Sequence, residues 1–439
     1  MLNRTIVSQS TPSGFSAIAI IRLSGSNAIK ISKKISKNYQ PLKHRVAEIR
    51  NVFSEGDIID QAVFTAFLSP NSYTGEDVVE ISCHGNVHIC EATINEVIKL
   101  GARIAEPGEY TKRAFLNGKL NLLQAESVIQ LINAKSIAAV KQQTKNLSGG
   151  TTVKIKELKK NLISTLAYLE YELDVSEEIY VDEKELNEIK TSIENSLRSA
   201  TLMSETFNRG NALSYGVRIA FIGKPNVGKS TLVNKLVGLE KSITSDVPGT
   251  TRDTVSTETI MGGIPVTLID TAGIHHSENK IELEGIKRSY KEIDASDLII
   301  NLFCDGSEPV DIKENMDQLL VYNKVDCLPY TGKNKNVFPV SATTGEGINL
   351  LIKHIQKKVG FFRVDAAEPL LTTIRQKEAM GNIISCLSDA LRFIESDSNE
   401  IELPAEEIKN AIANIDLFTG KTTTNDILDQ VFSTFCVGK

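Results

Sequence analysis

Val217-Arg218-Ile219-Ala220-Phe221-Ile222-Gly223-Lys224-Pro225-Asn226-Val227-Gly228-Lys229-Ser230-Thr231 is the stretch that decides the fold class. Val217 to Ile222 is an apolar run of strand length, and Gly223 to Ser230 fits Gly-x-x-x-x-Gly-Lys-Ser/Thr. A Gly-rich turn between a strand and a helix lets backbone N–H groups wrap a β-phosphate. Lys229 then neutralises β- and γ-phosphate charge, and Ser230 offers a hard oxygen to Mg²⁺. The helix expected from Thr231 to Val237 aims its N-terminus at the phosphates. The strand before and the helix after exclude a chance Gly-rich turn.

Three further motifs follow in order. Thr267-Leu268-Ile269-Asp270-Thr271-Ala272-Gly273 ends a second apolar run. Asp270 would hold Mg²⁺ through water, and the Gly273 N–H would sense a γ-phosphate. Pro248-Gly249-Thr250-Thr251-Arg252-Asp253 lies between these motifs and resembles a first switch, with Thr251 completing the Mg²⁺ shell. Asn323-Lys324-Val325-Asp326 follows the run Leu319 to Tyr322. The Asp326 carboxylate can accept from guanine N1–H and the exocyclic amine together, and adenine lacks that donor pair. Lys324 can lie over the base, and backbone N–H groups at Ser341-Ala342 can meet guanine O6. GTP is therefore the expected nucleotide. The residues expected to line it are Asn226, Val227, Gly228, Lys229, Ser230 and Thr231; Ser245, Asp246, Val247, Pro248, Gly249, Thr250 and Thr251; Asp270, Thr271, Ala272 and Gly273; and Asn323, Lys324, Asp326, Ser341, Ala342 and Thr343.

Many GTPases carry a water-orienting Gln after Asp-x-x-Gly, whereas here Gly273 is followed by Ile274-His275-His276. Either the domain barely hydrolyses GTP or another group acts. His275 and His276 read as solvated switch residues, and Glu282 by position alone is one surface acid among several.

The whole chain has 439 residues, 41% hydrophobic and 24% charged, with a formal net charge of −6. That length predicts two or three domains, and the acidic balance excludes nucleic-acid binding by bulk charge. Six scattered cysteines argue against a disulfide scaffold, no apolar run reaches the roughly 18 residues of a membrane helix, and a cytoplasmic protein is expected. Residues 1–118 mix β-rich runs (Ala17 to Leu23, Gln61 to Leu68, Val78 to Ser82) with helical stretches at Asn27 to Lys34 and Ile89 to Leu100, the latter stopped by Gly101. Residues 119–213 read as helical, 214–360 alternate strand and helix as a parallel sheet does, and 361–439 turn helical again. The α/β block thus reads as an insertion in one helical domain. Asp305 to Gln318 is short for a crossover, so a full helix there is doubtful. Cys83, His84, His88 and Cys90 fit no standard zinc spacing. Cys436 reads as either reactive or packed beside Phe435. The Lys/Glu-rich helix around Lys154 to Lys160 reads as a solvated face.

Outside the nucleotide motifs the chain carries Thr5-Ile6-Val7, Ile21-Arg22-Leu23-Ser24-Gly25, Tyr73-Thr74-Gly75-Glu76-Asp77-Val78-Val79-Glu80, Pro107-Gly108-Glu109-Tyr110-Thr111-Lys112-Arg113-Ala114-Phe115-Leu116-Asn117-Gly118-Lys119 and a final Phe435-Cys436-Val437-Gly438-Lys439. On these residues it resembles the MnmE (TrmE) family of tRNA-modification GTPases, within the TrmE-Era-EngA-YihA-Septin-like P-loop GTPases, over essentially its full length. The resemblance implies a multidomain α/β plus all-α protein: an N-terminal α+β folate-binding and dimerising domain, a discontinuous helical domain and an inserted Ras-like G domain.

The resemblance further implies a homodimer that forms a heterotetramer with the FAD-containing protein MnmG (GidA). The pair would add a carboxymethylaminomethyl or aminomethyl group to C5 of the wobble uridine of certain tRNAs. The one-carbon donor would be 5,10-methylenetetrahydrofolate or 5-formyltetrahydrofolate, bound by Arg22, Glu80, Lys119 and Lys439. It implies K⁺ held by Asn226, Ser245, Val247 and Thr250, Mg²⁺ held by Ser230 and Thr251, and Glu282 as the group that orients water. Two other readings stand beside it, a ribosome-assembly GTPase and a non-catalytic GTP-switch scaffold. The first would bring an RNA-binding appendage that this sequence lacks.

Overall fold

The computed structural model describes residues 4–175, 183–239, 255–270, 293–312, 316–332, 334, 336–359, 369–396, 401–422 and 424–438. The chain forms two compact units, one of Met1–Ile129 with Ile412–Lys439 and one of Gln130–Ala411.

The first unit is built on a six-stranded sheet. Its strands are β1 (Ile6–Gln9), β2 (Ser16–Ser24), β3 (Ala47–Ser54), β4 (Asp57–Phe67), β5 (Val78–Gly85) and β6 (Arg103–Ile104), in the order β3-β4-β5-β2-β1-β6. All pair antiparallel except β1 with β6. Helix α1 (Ala28–Ile35) buries Ala28, Ile31, Ser32 and Ile35, the i, i+3, i+4, i+7 stripe of an amphipathic helix. Helix α2 (Val87–Lys99) starts earlier than its apolar spacing predicts, because the Asn86 side chain accepts from the His88 N–H and caps it. Gly101, at φ +109°, ends the segment as expected.

Helix α3 (Glu109–Leu116) explains the Pro107 to Lys119 motif. Its N-cap Gly108 has φ +68°, and a Cβ there would lie 2.7 Å from the Phe432 carbonyl oxygen. Arg113 is 2% exposed and donates to Glu109 Oε1, to both Glu76 carboxylate oxygens and to the Arg4 carbonyl. Glu109, 3% exposed, also receives Arg103. Buried charges persist only where partners satisfy them, and here each has several. The helix Asn425–Ser433 packs on α3, which brings the chain's end into this unit.

In the second unit the helices are α4 (Leu122–Ile132, entering from the first unit), α5 (Ile137–Leu147), α6 (Gly150–Val175), α7 (Glu183–Glu205) and α8 (Phe207–Tyr215). The returning helix Ile374–Glu395 packs on α7 and buries Met380, Ile383, Leu387 and Ala390; Thr373 and Gln376 close a capping box at its start.

The inserted sheet comprises β7 (Val217–Gly223), β8 (Val255–Met261), β9 (Ile264–Asp270), β10 (Leu298–Phe303), β11 (Gln318–Asn323) and β12 (Val337–Val340), in the order β12-β11-β10-β7-β9-β8. Helix α9 (Lys229–Leu239) packs against β7 and β9, and the helix Ile348–Lys358 packs against β12. Five strands are parallel, as the alternating pattern predicts, and their residues are apolar almost throughout because both faces are covered. Strand β8 departs from that expectation: it pairs antiparallel with β9. The reason is Gly262-Gly263, at φ +59° and +89°, a two-residue turn that only a hairpin uses.

No helix occurs among the described residues of the Asp305 to Gln318 crossover. Val310, Ile312 and Met316 instead pack against the sheet residues Ala220, Ile222 and Ile299. Buried Asn301 clamps this strap, donating to the Val310 carbonyl at 2.8 Å and accepting from its N–H at 3.1 Å.

Candidate nucleotide site

The loops that carry the phosphate and base motifs leave the C-terminal ends of β7, β9, β11 and β12, the crevice where open α/β sheets bind ligands. The first turn takes positive φ at three positions, two of them glycines that adopt it without strain. Gly223 has φ +151°, Asn226 +59° and Gly228 +97°. A Cβ on Gly228 would lie 2.3 Å from the Asn323 amide nitrogen, so no other residue fits there without a shift. Lys229, 8% exposed, folds back to donate to the carbonyls of Gly223 at 2.9 Å and Lys224 at 3.1 Å. Burial pushes its ammonium below the ordinary lysine value, with the Asp270 charge opposing.

Ser230 Oγ donates to Asp270 Oδ2. Asp270 is buried, and its Oδ1 has no hydrogen-bond partner among the described residues. A buried carboxylate oxygen without a donor, beside a hydroxyl, is a donor set that fits a hard divalent cation. Ser230 and Asp270 therefore fit Mg²⁺, Ser230 directly and Asp270 at its side. Thr251, Thr271, Ala272, Gly273, His275, His276 and Glu282 lie outside the described residues, as do Ser245, Asp246, Val247, Pro248, Gly249 and Thr250. Asn226 is exposed at the tip of the turn.

Asn323 carries a role that its motif position does not announce. It is 2% exposed; its amide donates to the Val227 carbonyl at 2.8 Å and its oxygen accepts from the Ala342 N–H at 3.0 Å. One side chain thus ties the phosphate loop to the base loops. Asp326 is exposed, and the hydrogen bond with Ser341 holds its carboxyl below the usual range against a smaller desolvation effect. Ser341 itself is fully buried, its hydroxyl accepting from the Thr344 N–H at 3.0 Å. Lys324, at φ +70°, and Thr343 are exposed beside it. Ser341's hold on Asp326 was not readable from spacing, although an Asp and a Ser just beyond the ends of adjacent strands was a signal.

In the first unit Arg22 and Glu80 face each other across β2 and β5. Arg22 donates to Glu80 Oε1 through Nε at 2.9 Å and Nη2 at 2.7 Å, and its Nη1 reaches the Gly438 carbonyl at 3.4 Å. The rings of Tyr73 and Tyr110 lie beside the guanidinium. Glu80 Oε2 accepts nothing among the described residues, so it suits a ligand's N–H donors. Lys119 does not join this pair; its ammonium donates to the Pro70 carbonyl at 3.0 Å. Lys439 lies outside the described residues. Cys83 and Cys90 are buried with sulfurs 4.0 Å apart, His84 pairs with Asp60, and no metal-ligating cluster occurs among the described residues. Burial pushes the Cys83 thiol up to about 12. Cys436 is exposed, and its carbonyl accepts from the Gly108 N–H.

The fold and this site define a P-loop nucleotide-binding protein. Two family models match it: the MnmE helical domain over residues 122–436 and the GTP-binding protein TrmE N-terminus over residues 5–119. A tRNA modification GTPase MnmE of Pseudothermotoga lettingae is 39% identical over 99% of this chain and 99% of its own length. That of Thermotoga maritima is 36% identical over 99% and 100%. Among solved structures, the FeoB G domain of Methanococcus jannaschii matches 33% of this chain and 98% of its own at 28% identity, with a TM-score of 0.26, too low to bear on the fold. The chain belongs to the MnmE family.

Proposed function

We propose that this chain, a GTP hydrolase of tRNA modification by its family, uses Mg²⁺ and K⁺ for hydrolysis. We propose further that it acts with an FAD-containing partner on C5 of the wobble uridine of tRNA, with a folate as one-carbon donor. The carrying observation is the Asn323 amide, which locks the phosphate loop and the base loops into one preorganised site. Phosphoryl transfer needs little beyond positioning and charge stabilisation, and both are what such a site supplies.

Lys229 leaves its loop carbonyls for the β- and γ-phosphates, exchanging neutral acceptors for charged ones. Ser230 and Asp270 would hold Mg²⁺, which when bound balances charge on the phosphate oxygens. Asn226, with the carbonyls of Ser245 and Val247 and with Thr250, would hold K⁺, which when bound supplies the positive charge an arginine finger gives elsewhere. Asp326 selects guanine. Glu282 orients the attacking water in place of the absent Gln. In the first unit the pair Arg22 and Glu80 binds the folate, Arg22 toward its carboxylates and Glu80 Oε2 toward pterin N–H groups, with Lys439 as a further cationic contact; Lys119 joins after leaving Pro70. The protein works as a homodimer and in a heterotetramer with that partner.

The test is a nucleoside analysis of bulk tRNA from the native cells after deletion of the gene. Loss of the C5-modified wobble uridine, restored by the wild-type chain and not by Ser230→Ala, is the expected result. Unchanged tRNA after deletion would overturn the reading.

A further inference from the structure

In the second unit, α6, α7 and α8 line an open pocket of about 640 Å³ with Pro369 on its wall. Small-molecule pockets run to about 300–1,000 Å³, so its size suits a metabolite. Leu158, Leu202 and Met203 give it an apolar side; Lys154 from α6 and Arg209 from α8 give it two cations.

Arg209 is the unusual member. Its Nε and Nη2 are shielded from solvent and donate to no acceptor among the described residues. Glu157 and Glu205 line the same pocket, yet no ion pair joins either to Arg209 among the described residues. Nε and Nη2 form one edge of the guanidinium, the planar edge that matches a carboxylate or a phosphate with two parallel hydrogen bonds. A buried donor pair without acceptors is a cost that native folds rarely carry without a reason.

The surrounding backbone fixes where the Arg209 side chain starts, and leaves the side chain itself to turn. The next residue, Gly210, sits under Leu371 so closely that a Cβ would lie 1.9 Å from the Leu371 carbonyl oxygen. The Leu371 N–H donates to Thr206 Oγ1 at 3.0 Å. Helix α8 therefore cannot slide to satisfy Arg209 elsewhere.

We propose that this pocket binds a small anionic ligand, whose carboxylate or phosphate takes the Nε–Nη2 edge of Arg209 when that side chain turns into the pocket. Lys154 adds charge, and the apolar side receives the rest of the ligand. This site is independent of the nucleotide site.

The experiment is thermal unfolding of the full chain with saturating GDP and Mg²⁺, so that the phosphate loop is already filled. Glutarate and inorganic phosphate are the probes, with chloride at matched ionic strength as control. A saturable rise in Tm of several degrees with either probe supports the site, since a ligand that binds only the native state stabilises it by mass action. A response to one probe alone identifies the headgroup. Arg209→Met should abolish the rise while its own Tm without anion equals or exceeds that of wild type, because it removes unpartnered donors at similar volume. Arg209→Lys, which keeps the charge but not the edge, should bind at least tenfold more weakly. No saturable rise in wild type, an equal rise in Arg209→Met, or a lower anion-free Tm for Arg209→Met would each overturn the proposal.

Discussion

The Asn323 amide donates one N–H to the Val227 carbonyl and accepts from the Ala342 N–H, so it ties two loops together while keeping a second N–H to donate. On the proposed reading Asp326 selects guanine, and its hydrogen bond with Ser341 holds its carboxyl below the ordinary value. An Asn at 326 would present an amide donor where guanine also donates, but where xanthine carries a carbonyl. Asp326→Asn should therefore lower kcat/KM for GTP by about 10³-fold or more and restore turnover with xanthosine triphosphate. Steady-state hydrolysis with both nucleotides checks this; unchanged GTP turnover would show that the base is read elsewhere.

Helix α3 shows how an element can be specified by charge as well as by apolar spacing. Burial alone would push the Glu109 carboxyl up, but hydrogen bonds from Arg103, the Glu106 N–H and Arg113 together hold it below its ordinary value of 4.5. A depressed folded-state value contributes stability above the unfolded value that is lost as pH falls through the folded one. The first unit should thus lose stability below pH 4.5, and Glu109→Gln should flatten that acid limb while lowering stability at neutral pH. Unfolding followed by circular dichroism between pH 3 and 7, roughly the carboxylate range and above, checks it; an unchanged acid limb would remove Glu109 from the account. The phosphate loop and the parallel strands were legible in the sequence because each follows a local rule of period, glycine or motif. The Asn301 clamp, the Ser341 support of Asp326 and the dry edge of Arg209 were not, because each joins residues that only the packed chain brings together. The antiparallel β8 was not read either: the alternation over 214–360 pointed to parallel strands, and the Gly262-Gly263 turn that reverses β8 into β9 was the signal left unused.

At the scale of the molecule, the chain returns its last residues to its first unit. A Cβ on Gly438 would lie 2.6 Å from the Gln9 carbonyl oxygen, and Arg22 reaches the Gly438 carbonyl. The proposed folate pair and the chain's end are therefore one local structure, and the nucleotide loops belong to the other unit. On the proposed function, this second unit hydrolyses GTP with a monovalent cation at Asn226. The most direct measurement is GTP hydrolysis by the full chain with Mg²⁺ in matched K⁺ and Na⁺ buffers, wild type beside Asn226→Ala. K⁺ should stimulate the wild type about tenfold or more, and Asn226→Ala should lose that stimulation. Equal, slow rates in both buffers would contradict it and leave a GTP-binding scaffold.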